Sequence, residues 1–68
     1  MSNKILEQIK YCREEKNISL SELSSKSGIS YSYLLQLEAG KKFNPSLDTL
    51  DKICDALDID ITFLFINN

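Results

Sequence analysis

The sequence predicts a small all-α domain of five short helices, and three observations carry that expectation. Apolar residues recur at three- and four-residue spacing, as in Ile5, Ile9 and Cys12 and again in Leu50, Ile53, Cys54 and Leu57. Ser19, Ser30 and Ser46 each stand just before a periodic segment, where a hydroxyl can cap a helix. Asn17, Gly28 and Gly40 stand where such segments stop. A chain of 68 residues, 43% hydrophobic and 26% charged, has room for one domain around one core. That domain is expected over residues 1–68, with its core at about 5–65.

The elements follow in order. Helix 1 is expected from about Asn3 to Lys16, with Ile5, Ile9 and Cys12 on one face and Asn17 ending it in the left-handed region. Helix 2 covers about Leu20 to Ser27, opened by a capping box of Ser19 and Glu22. Helix 3 covers about Tyr31 to Ala39, capped by Ser30 and stopped by Gly40. Pro45 and Ser46 open helix 4, which carries Leu47, Leu50, Ile53, Cys54 and Leu57 as its buried face and Asp48 in its first turn, where negative charge suits the helix dipole. Asp60 is the cap expected for a last helix, Ile61 to about Phe65. The β-branched and aromatic run IDITFLFI leaves a C-terminal strand as the local alternative.

Composition removes several functions. There is no histidine and no CxxC, so zinc has no ligand set, and no Ser-His or Cys-His nucleophile pair exists. No metal, cofactor or enzymatic activity is expected. Cys12 and Cys54 each fall in an apolar helical register and read as small buried hydrophobes. The opening MSNKILEQIK starts a helix directly, with no signal-peptide core. No apolar run approaches the ~20 residues that span a bilayer. A cytoplasmic protein with no membrane partner is expected. Net charge is −2, unevenly placed: residues 1–42 carry +2 and residues 43–68 carry −4.

Residues 19–40, SLSELSSKSGISYSYLLQLEAG, have the helix-turn-helix layout. Six positions agree: apolar 23, small 24, glycine 28, and apolar 29, 34 and 37. An αα-hairpin without a nucleic-acid partner is the competing reading of this stretch. At 100° per residue, Leu34 and Leu37 face inward, while Ser32, Leu35, Gln36 and Ala39 face out, with Tyr31 at the N-terminal edge and Tyr33 on a flank. Tyr31, Ser32, Leu35 and Gln36 are therefore the candidate base readers, with Gln36 suited to an adenine edge and Leu35 to a thymine methyl. Ser19 and Ser30 at helix N-termini, Tyr33, Lys41 and Lys42 are the candidate phosphate contacts. A partly buried Arg13 needs a carboxylate, and Glu38 sits at the edge of the buried stripe of helix 3.

Three stretches, IxxxIKxCREEKNISLSELSSKSGIS, SYLLQLEAGK and NPSLDTLDKICDALDIDITFLF, cover residues 5–65 almost without a break. Together they resemble the Xre family, the phage-repressor and Cro type of helix-turn-helix DNA-binding domain. The resemblance implies a compact five-helix, lambda-repressor-like fold with helix 3 as the recognition helix. It also implies a bacterial or phage-encoded, nucleoid-associated regulator and a structural salt bridge between Arg13 and Glu38. The chain departs from the family pattern in places. Leu20 stands where relatives often have a phosphate-binding glutamine, Ser24 stands for alanine with a hydroxyl able to bond back within its own helix, and Tyr31 and Leu35 replace polar or basic recognition residues.

A short C-terminal helix can bury only one face, expected to be Ile61, Leu64 and Phe65, which leaves Phe63 and Ile66 toward water. Residues 60–68, and Ile61, Phe63, Leu64, Phe65 and Ile66 in particular, are thus the candidate dimer interface, as the resemblance also implies. The function expected is a sequence-specific double-stranded DNA-binding transcription regulator, a repressor acting as a homodimer on a palindromic operator. The alternative is a protein-interaction module, or an antagonist that pairs with a homologous regulator. A regulatory antagonist protein is a further candidate partner.

Overall fold

In the computed structural model, residues 4–41 and 44–66 are described, Ile66 by its backbone alone. Among them run five helices and no strand: α1 (Lys4–Glu15), α2 (Leu20–Ser27), α3 (Tyr31–Glu38), α4 (Leu47–Leu57) and α5 (Phe63–Ile66). The run at 59–66, where a strand competed, is therefore turn and helix.

Hydroxyl caps and left-handed stops fix the helix ends. Ser19, Ser30 and Ser46 accept hydrogen bonds from the backbone N–H groups of Glu22, Tyr33 and Thr49, each three residues on. At the other ends, Asn17 (φ 55°), Gly28 (φ 76°), Gly40 (φ 78°) and Asp58 (φ 57°) adopt left-handed backbone. After α1, α3 and α4 the pattern is a Schellman motif. The N–H groups of Ile18, Lys41 and Ile59 reach back to the carbonyls of Arg13, Gln36 and Cys54. Asp58 is a stop the sequence reading did not single out, though a short polar side chain is the type that tolerates this region.

One core joins the helices: Leu6, Ile9 and Cys12 of α1, Leu23 of α2, Leu34 and Leu37 of α3, Leu50, Ile53, Cys54 and Leu57 of α4, and Leu64 of α5. Helix α2 packs against α3 and α4, and α1 packs against α3, α4 and α5. Both cysteines are buried and free. Burial raises both thiols, Cys54 to about 11, with the Asp51 charge adding to the effect.

Three expectations about apolar faces need correction. Leu47 is 64% exposed, because it sits in the first turn of α4 and about 70° from the centre of the buried stripe. Leu6 is buried and Ile5 only half-buried, so Leu6 joins Ile9 and Cys12 on the inner row of α1. The chain end is turned differently from a helix begun at Ile61. Asp60 caps a tight turn, accepting from both the N–H and the hydroxyl of Thr62, and these bonds hold its carboxylate below its ordinary range. The N–H groups of Phe63, Leu64 and Phe65 then bond three residues back, to Asp60, Ile61 and Thr62. That tighter winding, about 120° per residue, swings Phe65 away from the Ile61–Leu64 line. Phe65 is 46% exposed, whereas Phe63 packs half-buried on the core.

Candidate nucleic-acid interface

The two helices of the 19–40 segment are held by a turn whose bonds are all local. Gly28 donates its N–H to the Ser24 carbonyl, and Ile29 donates its N–H to the Ser27 hydroxyl. The Ser24 hydroxyl does not bond back within α2. It donates across the turn to the Ile29 carbonyl at 2.6 Å, satisfying an oxygen that the change of direction leaves free. Ile29 then packs its side chain on the core, as Leu20 does. Leu20 is half-buried and brings no polar group to the surface.

This turn sets which side of α3 meets solvent. Leu34 and Leu37 are buried against α1 and α2, and Tyr33 lies half-buried on the core. On the outer side, Tyr31 is 48% and Leu35 49% exposed, and Ser32 and Ala39 are also exposed. Gln36 is half-buried at the margin of that face, toward the Tyr33 flank. Four of the sequence-derived candidates, Tyr31, Ser32, Leu35 and Gln36, thus share one surface of a single rigid element. That surface carries no charge.

The polar groups around it are partly engaged. Ser19 and Ser30 are exposed, and each uses its oxygen as acceptor in a cap, which leaves the hydroxyl hydrogen free to donate outward. Lys41 is exposed just past Gly40, its backbone N–H fixed on the Gln36 carbonyl at 2.8 Å. Lys42 lies outside the described residues, as does the side chain of Ile66. Glu22 turns its carboxylate to Lys26 at 3.4 Å, an exposed pair one turn apart that adds little stability.

Behind α3, Arg13 and Glu38 form a two-pronged ion pair. Arg13 Nε donates to Glu38 Oε2 at 2.7 Å and Nη2 donates to Oε1 at 2.8 Å. Arg13 Nη1 donates to the Ile18 carbonyl at 2.8 Å. Both side chains are largely buried, at 14% and 11% exposure, and the hydrogen bond to Glu38 raises the guanidinium pKa. One side chain therefore ties α1, the α1–α2 turn and the end of α3 together. Ile18 was not a sequence candidate. The signal was present in Asn17, whose left-handed stop turns the next carbonyl back toward Arg13.

Of the candidate interface at the chain end, Leu64 is fully buried in the protein's own core and has no surface to offer a partner. Ile61 and Phe63 are half-buried, and Phe65 is the exposed member. Among the described residues no group of histidine, cysteine or acidic side chains could hold a metal ion, and no helix is long and apolar enough to cross a membrane.

A family model described as helix-turn-helix matches residues 9–64. The chain is 42% identical over 55 residues to the HTH-type transcriptional regulator SinR of Bacillus subtilis (strain 168), covering 81% of this chain and 50% of that protein. It is 36% identical over 56 residues to the immunity repressor protein of Bacillus phage phi105, covering 82% of this chain and 38% of that one. The chain thus spans half or less of the length of these relatives. Among solved structures, it superposes on SinR, the master regulator for biofilm formation, in complex with DNA. The TM-score is 0.83 at 41% identity, over 90% of this chain and 97% of that one. SinR in its complex with SinI gives a TM-score of 0.83 at 40% identity, over 93% of this chain and 61% of that one.

Proposed function

Because the chain belongs to the helix-turn-helix family, we propose that it binds double-stranded DNA sequence-specifically, with α3 in the major groove, and regulates transcription. The observation that carries the reading is the outer side of α3: Tyr31, Leu35 and Ser32 exposed and Gln36 at the margin, on a helix otherwise locked to α1 and α2. A side chain that packs nothing in the fold is available for base edges. The superposition on SinR in complex with DNA supports DNA as the partner.

In this reading Tyr31, Ser32, Leu35 and Gln36 read bases, while Ser19, Ser30, Tyr33, Lys41 and Lys42 position the backbone. Residues 1–68 act as one domain. The mode is repression by occupying promoter DNA, in the cytoplasm and on the nucleoid, a sense in keeping with the phage relative's description as a repressor. A two-fold homodimer through Ile61, Phe63 and Phe65 would set two copies of α3 about 34 Å apart on successive grooves of a palindromic operator. A second reading, a face that binds an antagonist protein, draws on the SinR complex with SinI.

Salt separates DNA from protein as the partner. Binding of a labelled duplex, selected from a random pool, is measured by fluorescence anisotropy over a range of salt concentrations. The affinity should fall with a log–log slope of about −0.9 per neutralised phosphate, and Lys41→Ala should flatten that slope by about one unit. A salt-indifferent association would remove the DNA reading. Sedimentation with and without DNA tests the dimer, and a monomer holding a lone half-site would exclude it.

A further inference from the structure

The outer face of α3 divides into two rows. At 100° per residue, Tyr31, Leu35 and Ala39 fall within about 80° of each other, and Ser32 and Gln36 lie along the adjacent edge. The first row is dominated by apolar surface, since Tyr31 and Leu35 are each about half exposed. The helix reads YSYLLQLE, with no lysine or arginine, and its one charge, Glu38, is held at both oxygens by Arg13.

Guanine shows the major groove two acceptors and is read by a bidentate cationic donor, which α3 lacks. Adenine shows one acceptor and one donor, the pattern a glutamine amide matches, and Gln36 supplies it. Thymine alone adds a methyl group to the groove, the natural partner of an exposed leucine. Polar row and apolar row therefore favour the same base pair.

Resting on the DNA-binding reading above, we infer that the sites this protein selects are rich in A·T pairs and that Leu35, with Tyr31 beside it, identifies thymine by its C5 methyl group. The two side chains are one helical turn apart, about 6 Å along the axis. This is close to two base steps of about 3.4 Å, so the pair can cover neighbouring thymines on one strand. Burying one methyl group corresponds to about fourfold in affinity.

The test uses the full chain and duplexes enriched from a randomised pool, with each thymine then replaced in turn by deoxyuridine, which removes only the methyl. Enriched duplexes should centre on A·T pairs. At one or two positions, deoxyuridine should weaken the wild-type protein about fourfold while Leu35→Ala, checked for an unchanged melting curve, loses that sensitivity. If every deoxyuridine duplex binds as well as its thymine parent, or Leu35→Ala keeps the full sensitivity, the inference is overturned while DNA binding stands. Failure to enrich any duplex would instead remove the DNA-binding reading and this inference with it.

Discussion

Arg13 and Glu38 are 25 residues apart in sequence and meet fork to fork, at 2.7 and 2.8 Å, with the third arm of the arginine on the Ile18 carbonyl. The geometry uses the planar guanidinium in a way a lysine cannot copy. It also fixes the end of α3 relative to α1, so the pair sets the angle at which the exposed face is presented.

Breaking this pair one-sidedly should be costly. Glu38→Ala leaves a largely buried guanidinium unpaired, and a loss of ~3 kcal/mol in urea unfolding is expected. Arg13→Lys should lose a substantial part of the same amount. Replacing both residues together, as in Arg13→Met with Glu38→Leu, should recover most of the stability, because no lone charge remains. A double variant as unstable as the sum of the singles would contradict this account.

Gly28 ends α2 at φ 76°, and a β-carbon added there would meet nothing within 4 Å. The glycine is required by backbone conformation alone, not by crowding. Gly28→Ala should cost ~1–2 kcal/mol in thermal unfolding. Gly28→Asn should cost less, because asparagine tolerates the left-handed region. Equal losses for the two would point to a contact rather than a torsion.

Gln36 is half-buried at the margin of the outer face of α3, away from the buried Leu34 and Leu37. Gln36→Ala should leave the melting temperature nearly unchanged and weaken a selected duplex by ~1–3 kcal/mol, relaxing one base position. Titration of the variant on selected and random duplexes measures both effects. Equal losses on the two would assign Gln36 to the backbone rather than to a base.

The buried thiols make the fold sensitive to alkali. Cys54 titrates near pH 11 in the folded chain, above its ordinary value of 9.0. Its contribution is therefore complete below about pH 9 and is lost as the pH rises toward 11, because the unfolded chain releases the proton first. The loss from this group is on the order of 2 kcal/mol. Chemical unfolding at pH 7.5 and 10.5 should show a smaller difference for Cys54→Ala than for the parent. The variant's own lower stability from the small cavity cancels in that comparison.

The features legible in the sequence span three to five residues. Ser19, Ser30 and Ser46 as caps, and Asn17, Gly28 and Gly40 as stops, are determined by a hydroxyl or a torsion acting on its own turn, and the structure places each there. The outward side of α3 was legible for a related reason: Leu34 and Leu37 leave the helix no other face to bury. Tertiary packing decided the rest. Ser24 could have bonded within α2 but reaches Ile29, because only the completed turn brings that carbonyl near. Ile18 became the third partner of Arg13 once the turn after α1 was formed. At the chain end, the sequence supplied enough apolar residues for either face. Phe63 rather than Phe65 went inward because Asp60 and Thr62 start the last helix with a tight turn against α1. Periodicity gives the spacing of a buried face, but the phase of a short apolar helix is set by where it begins and what it lies against.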